Sequence, residues 1–428
     1  MIKVISLITL LLTLSSCILN TPHPVVSNEK TFELEDMYIV FALRAEQLHD
    51  YKTASNFFNI LYQKSKKKEY FYRSIQNDLL AKKYNKVIQR VDTLSKDTVF
   101  DVTLARFKVI ALFEQNRLDE AIKLSVVLAA KTKIPNDYLL TSDIYTKRKE
   151  FDLAVRYLES AYEKEHNEKI LDKMSIILYI NLDKKKEAIA YLETHSRMMG
   201  CSELICHRLA AFYSNDNNVE GLLSTYLRLY KYKKDESIAK KIIQTYTYKG
   251  DYLSLISFLE ESGSDDEVLL QLYVFLKKYE KAYKLADKLY EESGDINYLG
   301  QSAIYEYEIN GVHTIQKVVQ KVIEKLKHVV VMKKDAKYLN YLGYIMIEHD
   351  IDVEDGLHFV DDALVIKPES VYYLDSRAWG YYKLGQCKKA KQIITKVLTL
   401  EGGDDPEVLG HKKIIDRCVK IQKGEKRK

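Results

Sequence analysis

Seven small or apolar residues, each placed just after a charged turn at the head of an apolar stretch, recur at a nearly constant interval. Ala54, Val87, Ala121, Ala154, Ala188, Gly221 and Leu255 are spaced 33, 34, 33, 34, 33 and 34 residues apart. The series slips at Ala282, 27 residues later, and returns with Gly356 and Ala390, again 34 apart. A period of this length holds one supersecondary unit that cannot bury its apolar faces alone. Successive units must therefore stack on one another, which excludes a chain of independent globular domains.

Within the period the patterning is helical. In one unit Tyr138, Thr141, Ser142 and Tyr145 form a first stripe, Lys147-Arg148-Lys149-Glu150 a charged turn, and Phe151, Ala154, Leu158 and Ala161 a second stripe. Steps of three and four keep such residues on one helix face. The first unit repeats the arrangement with Phe41, Ala42 and Ala45, then Tyr51, Ala54, Phe58 and Leu61. Only 15 Gly and 5 Pro occur in 428 residues, too few for many tight hairpins. The expectation is an all-α chain with short connections.

Residues 371–400 carry the pattern most fully, with Leu374, Ala378, Tyr381, Gly385, Ala390, Ile394 and Val397. The unit before has Leu339, Leu342, Gly343, Gly356, Phe359, Ala363 and a closing Pro368. These positions resemble the tetratricopeptide repeat family. The resemblance implies a right-handed superhelical solenoid of about eleven helix-turn-helix repeats between residues 35 and 423. Asp405-Pro406-Glu407 would open a last helix that caps the stack. Residues 35–260 follow the repeat by spacing, and 336–423 follow it by spacing and residue type. Residues 261–335 lose the register, and are expected to form an irregular seam with one long helix over 312–332. A basic tail, 424–428, ends the chain.

The first residues carry a different signal. Met1-Ile2-Lys3 precedes an uncharged apolar stretch from Val4 to Leu14, then Leu14-Ser15-Ser16-Cys17 and a polar run. A charged start and a short apolar core before small residues make a secretory signal, too short for a spanning helix. Leu-Ser-Ser-Cys resembles the lipobox of bacterial lipoproteins. The resemblance implies a signal peptide over 1–16, lipidation of Cys17, and a tether over 17–34. Ile18, rather than Asp, favours the outer membrane facing the periplasm, with the inner membrane and the cell surface as alternatives.

Charge and motifs narrow the function. The 66 basic and 61 acidic residues give a net charge of +5, with both signs interspersed. A nucleic-acid binder would concentrate its basic residues on one face. There is no H-E-x-x-H, G-x-S-x-G or G-x-x-x-x-G-K-[ST], so neither catalysis, a metal nor a cofactor is expected. Two acidic turns, 350–356 and 216–221, only partly match a calcium loop: the first has its Gly one place late, and the second has Leu227 where a bidentate carboxylate belongs. Asp or Asn is expected there as a helix cap.

In an oxidising compartment the four cysteines beyond Cys17 are disulfide candidates. By repeat register Cys387 begins the second helix of its unit and Cys418 lies late in the following helix, at the same end. Cys201 and Cys206, five residues apart, do not face each other within one helix, so pairing them needs Cys201 in the preceding loop.

Most of the 33 tyrosines fall at packing positions, as Tyr145, Tyr246, Tyr273 and Tyr381 do. The family geometry implies a different set on the concave groove: Asn340, Tyr344, Asp375, Trp379, Tyr382 and Lys383. Aromatic anchors among polar side chains suit a peptide or helix. The expected function is therefore a membrane-anchored envelope scaffold that binds protein partners during envelope assembly, whether of outer-membrane proteins, pilus and secretin structures, flagella or peptidoglycan enzymes. The alternatives are a peptidoglycan or lipopolysaccharide binder, and self-association through 260–335. A lytic transglycosylase would need a further catalytic domain for which the repeats leave no room.

Overall fold

The computed structural model describes residues 30–95, 100–422 and 424. The leader, Cys17 and most of the tether lie outside the described residues, as does nearly all of the basic tail. Twenty-three α-helices and no strand occur among the described residues. They run in consecutive pairs: α1 (Glu35–Gln47) with α2 (Tyr51–Ser65), α3 (Lys68–Leu80) with α4 (Tyr84–Ser95), α5 (Val102–Glu114) with α6 (Leu118–Thr132), and α7 (Pro135–Lys147) with α8 (Phe151–Glu165). Next come α9 (Glu168–Ile176), extended by a π turn over Ile177–Asn181, with α10 (Lys185–Met199), then α11 (Glu203–Asn215) with α12 (Val219–Tyr232). The series continues with α13 (Glu236–Lys249) and α14 (Tyr252–Ser262), α15 (Asp266–Phe275) and α16 (Tyr279–Ser293), then α17 (Ile296–Glu308) and α18 (Gln316–Met332). It closes with α19 (Ala336–Glu348) and α20 (Val353–Ile366), α21 (Val371–Lys383) and α22 (Cys387–Val397), and a single helix, α23 (Pro406–Gln422). Eleven pairs and one terminal helix make an all-α helical-repeat solenoid. Its contacts fall into two compact units that divide between Ile242 and Ile243, inside α13, rather than near residue 260.

The repeat marks the place where the second helix of each pair packs against its own pair. Ala54, Val87, Ala121, Ala154, Ala188, Ala282 and Ala390 all have no exposed surface, and each is the fourth residue of its helix. Val319 occupies the same place in α18 and is equally buried. The register therefore continues through 261–335 instead of breaking there. The 27-residue step arises because α14 and α15 have 11 and 10 residues, where α2 and α3 have 15 and 13. A 3₁₀ turn over Gly311–His313 then lengthens the next connection, and α18 runs to 17 residues. Residues 312–332 are thus a turn and a helix, and the expected seam is made of ordinary helix pairs whose lengths differ.

Turn chemistry explains why so few glycines suffice. In most pairs the middle residue of the intrapair turn is left-handed, and it is His49, Lys82, Asn116, Lys149, Asp183, Asn217, Lys277 or Asp350 rather than Gly. Side-chain caps start four of the second helices: Asp50 Oδ1 accepts from the Thr53 amide at 3.1 Å, and Asp251 Oδ1 from Ser254 at 3.2 Å. The two acidic turns do the same work. Asn218 Oδ1 accepts from the Gly221 amide at 2.9 Å, and Asp352 Oδ1 from Asp355 at 3.0 Å.

Glycine is required at one close crossing. A Cβ on Gly343 would lie 2.4 Å from the Gly356 carbonyl oxygen and 2.7 Å from Val360 Cγ2. Backbone cannot give way as a side-chain tip can, so α19 and α20 would have to separate. Gly343→Ala is expected to destabilise the second unit by about 2–3 kcal/mol. Urea unfolding followed by circular dichroism measures this, and a shift below about 0.5 kcal/mol would show that the crossing is slack.

In the first unit, polar side chains link first helices of successive pairs. Arg73 Nε donates to Glu46 at 2.8 Å, Arg106 Nε to Asp137 at 2.7 Å, and Arg208 Nε to Asp172 at 2.6 Å. Tyr72 Oη donates to Asp101 at 2.5 Å, and Lys173 pairs with Asp143. These contacts bridge about one repeat, and set the spacing of pairs more specifically than apolar packing alone.

Candidate binding site

The six residues expected on an open groove all lie in the second unit, but only half of them line a cavity. Trp379 is only 6% exposed. Its ring stacks on His411 of α23 with centroids 4.1 Å apart, and on Tyr382 at 4.7 Å. Its Nε1 donates to Glu348 at 2.6 Å. Lys383 Nζ donates to the Glu348 carbonyl and to Asp350, both at 2.9 Å. Lys383 is therefore tied to the end of α19 and the turn after it, and Trp379 packs under the cap with Tyr382 stacked on it. The reason is physical: α23 has no partner helix of its own, so its apolar face, with Val408 and Ile415, must close on α21 and α22.

Two bonds at opposite ends hold α23 in place. His411 Nδ1 lies 2.8 Å from Asp375 Oδ2. At the other end Cys387 and Cys418 are disulfide-bonded with Cα atoms 5.8 Å apart, and Gln422 Nε2 donates to the Gly385 carbonyl at 2.7 Å. Closing a loop of 31 residues stabilises by about 3 kcal/mol. Cys201, in the loop before α11, is bonded to Cys206 in that helix, with Cα atoms 5.4 Å apart.

Burial disfavours the charged form of His411, but the hydrogen bond and charge of Asp375, with Glu407 and Glu348, outweigh it and raise the imidazole above its usual range. A raised folded pKa contributes stability below the ordinary value of about 6.5, and that stability is lost as pH rises through the folded value. The second unit should therefore resist urea better near about pH 6 than near about pH 9. In His411→Gln the part of that difference due to the imidazole should vanish, and an unchanged pH dependence would remove His411 as its source.

Beside the cap a cleft of about 500 Å³ stays open, bordered by α17, the 3₁₀ turn, α19, α21 and the first turn of α23. Asn340, Tyr344 and Asp375 line it, so half of the expected groove residues do face a cavity. The rest of the lining was missed: Tyr307, Tyr341, Tyr372 and Tyr373 add aromatic wall, and Glu308 and Glu407 add charge. The pairs Tyr341/Tyr344 and Tyr372/Tyr373 are visible in the sequence, but tyrosine also fills packing positions elsewhere, as Tyr145 and Tyr273 do at 8% and 5% exposure, so residue type alone does not mark the cleft. Glu407 could not be seen, because it arrives on the capping helix 63 residues after Tyr344, whose Oη donates to it at 3.0 Å.

Burial raises the Glu308 carboxyl above the ordinary range, and the charge of Glu407 adds to it, against the Tyr341 hydrogen bond and Lys277. Burial with Glu308 and Glu407 holds the Tyr341 phenol, and burial with Glu407 and Glu348 the Tyr344 phenol, far above the usual range, so both remain donors. Lys337 lines the cleft too; burial lowers its ammonium, and the anion that counteracts this is Asp335. Asn340 Oδ1 and Asp375 Oδ1 are buried acceptors with no hydrogen-bond partner. Unpaired buried acceptors cost free energy of about 1–3 kcal/mol each, which a ligand carrying donors would recover.

Neither a family model nor a curated protein matches the chain. Solved structures align with it at low identity. The Naa15/Naa10 structure bound to HypK-THB is 13% identical with a TM-score of 0.36, over 83% of this chain and 66%, just under two thirds, of that one. The APC/C hetero-tetramer Cut9-Hcn1 is 9% identical with a TM-score of 0.37, over 90% of this chain and 97% of that one. The P58(IPK) TPR domain is 13% identical with a TM-score of 0.27, over 77% and 100%. The class itself rests on the chain's own helix pairs: an all-α repeat solenoid, whose second unit ends in a disulfide-linked capping helix beside a tyrosine-lined cleft.

Proposed function

We propose that this protein is a lipid-anchored scaffold of the bacterial envelope that binds protein partners, with the cleft of the second unit as a contact site. The observation that carries the binding role is the pair of buried, unpartnered acceptors, Asn340 Oδ1 and Asp375 Oδ1, in a cleft walled by tyrosines. Tyrosine offers large contact area at low conformational cost together with a hydrogen-bonding tip, as partner-binding surfaces require. Support for the anchor comes from Leu14-Ser15-Ser16-Cys17 and the apolar stretch before it. Acylation there, followed by a polar tether, would hold the solenoid near a membrane, with the outer membrane favoured by Ile18.

The test has two arms in intact cells. Metabolic labelling with a fatty-acid analogue should mark wild type and not Cys17→Ser, and unlabelled wild type would overturn the anchor. Crosslinking and affinity purification should recover a protein with wild type and lose it with Tyr372→Ala, whose side chain is 61% exposed and whose removal spares the core. Recovery of no protein would overturn the scaffold, and glycan recovered in its place would establish the carbohydrate reading.

A further inference from the structure

We infer that the cleft of the second unit recognises a basic side chain, a lysine or arginine presented by a polypeptide partner. This rests on the protein-binding reading above and specifies its chemistry. Three carboxylates converge on the cleft: Glu308, Asp375 and Glu407. Asp375 spends one oxygen on His411 at 2.8 Å, and its other oxygen is buried and unpartnered, on a residue only 5% exposed. Asn340, a residue of the same lining that is 8% exposed, carries a second buried acceptor without a partner in its Oδ1. The known partners of the two glutamates are tyrosine hydroxyls: Tyr341 Oη donates to Glu308 at 3.2 Å, and Tyr344 Oη to Glu407 at 3.0 Å. Among the described residues no lysine or arginine lies within 4.0 Å of either glutamate, although most buried or half-buried acids of this chain have such a partner, as Asp78, Asp137, Asp172 and Glu193 do.

The complement of this arrangement is a group rich in N–H donors, positively charged, with an apolar stem. Vacant acceptors take the donors, the two glutamates supply the counter-charge, and tyrosine faces receive the stem and the cation. A guanidinium or ammonium on a side chain meets each requirement, whereas an anion would face uncompensated carboxylates. Lys337 lies in the same lining but is coupled to Asp335; Lys277 offsets part of the Glu308 charge and His411 part of that of Glu407, each without a bond to the carboxylate.

The test is selection of a random peptide library on the full lipidated chain, held in detergent micelles. Three forms are compared: wild type, the Glu308→Gln, Glu407→Gln double variant, and Glu407→Lys, which places a cation in the cleft itself. Glu407 is exposed and Gln is isosteric with Glu, so circular dichroism and Trp379 fluorescence of the variants should match wild type. Wild type should enrich peptides with Lys or Arg at one position. Replacing that residue by norleucine or citrulline should weaken binding about tenfold or more, and both variants should lose the enrichment. Peptides enriched with no basic residue, or enrichment that survives in both variants, would overturn the inference while leaving protein binding intact. Failure of wild type to select any peptide would overturn it too, and in-cell crosslinking alone would then decide the wider reading.

Discussion

Trp379→Ala is expected to destabilise the second unit by about 3–5 kcal/mol, the range for deleting a large buried aromatic. The ring is 6% exposed and lies between Tyr382 and His411, so truncation empties the centre of the interface between α21 and α23. It also removes the Nε1 donor from Glu348, which then keeps no partner for that oxygen near the buried site. Because Trp379 is the only tryptophan, urea unfolding has to be followed by circular dichroism rather than by fluorescence. A loss below about 1 kcal/mol would mean that α23 does not rest on this ring. The expectation has a practical consequence for function. Loss of a partner in a Trp379 variant would report the cap, whereas Tyr372→Ala, at an exposed cleft wall, isolates recognition.

Arg106→Met should cost the first unit a similar amount, about 3–5 kcal/mol. Asp137 has no exposed surface, and Arg106 grips both of its oxygens, at 2.7 and 2.8 Å. Removing the guanidinium leaves a buried carboxylate with the Thr132 hydroxyl, at 2.7 Å, as its remaining side-chain donor. The penalty is mainly that of the stranded charge, so the double variant Arg106→Met, Asp137→Leu should recover most of the stability. A double variant no better than the single one would show instead that the pair itself, rather than the stranded acid, holds α5 against α7.

The helix pairs were legible because each is a local consequence of amphipathic spacing. Tyr51, Ala54, Phe58 and Leu61 form one stripe whatever lies beyond them, and Ala54, Phe58 and Leu61 are all buried. Where the pattern seemed to fail, at 261–335, the helices persist and only their lengths change. Val319 carries the packing position that a search for alanine or glycine passes over. Of the six residues expected on a groove, Asn340, Tyr344 and Asp375 line a cleft, and Trp379 lies under a helix whose resting place no local pattern records.

Residue order along one helix pair settles the class of fold, because the 33- to 34-residue period needs only contacts made within a unit and with its neighbour. It also places the cysteines, since Cys387 and Cys418 fall at the same end of adjacent helices. The chemistry of the site lies at a different level. Glu407 reaches Tyr344 across 63 residues, and His411 reaches Asp375 across 36, because the unpaired α23 folds back onto the last pair. Which polar groups that helix satisfies, and which it leaves vacant in the cleft, depends on three-dimensional packing, where contact is governed by distance in space and not by spacing along the chain.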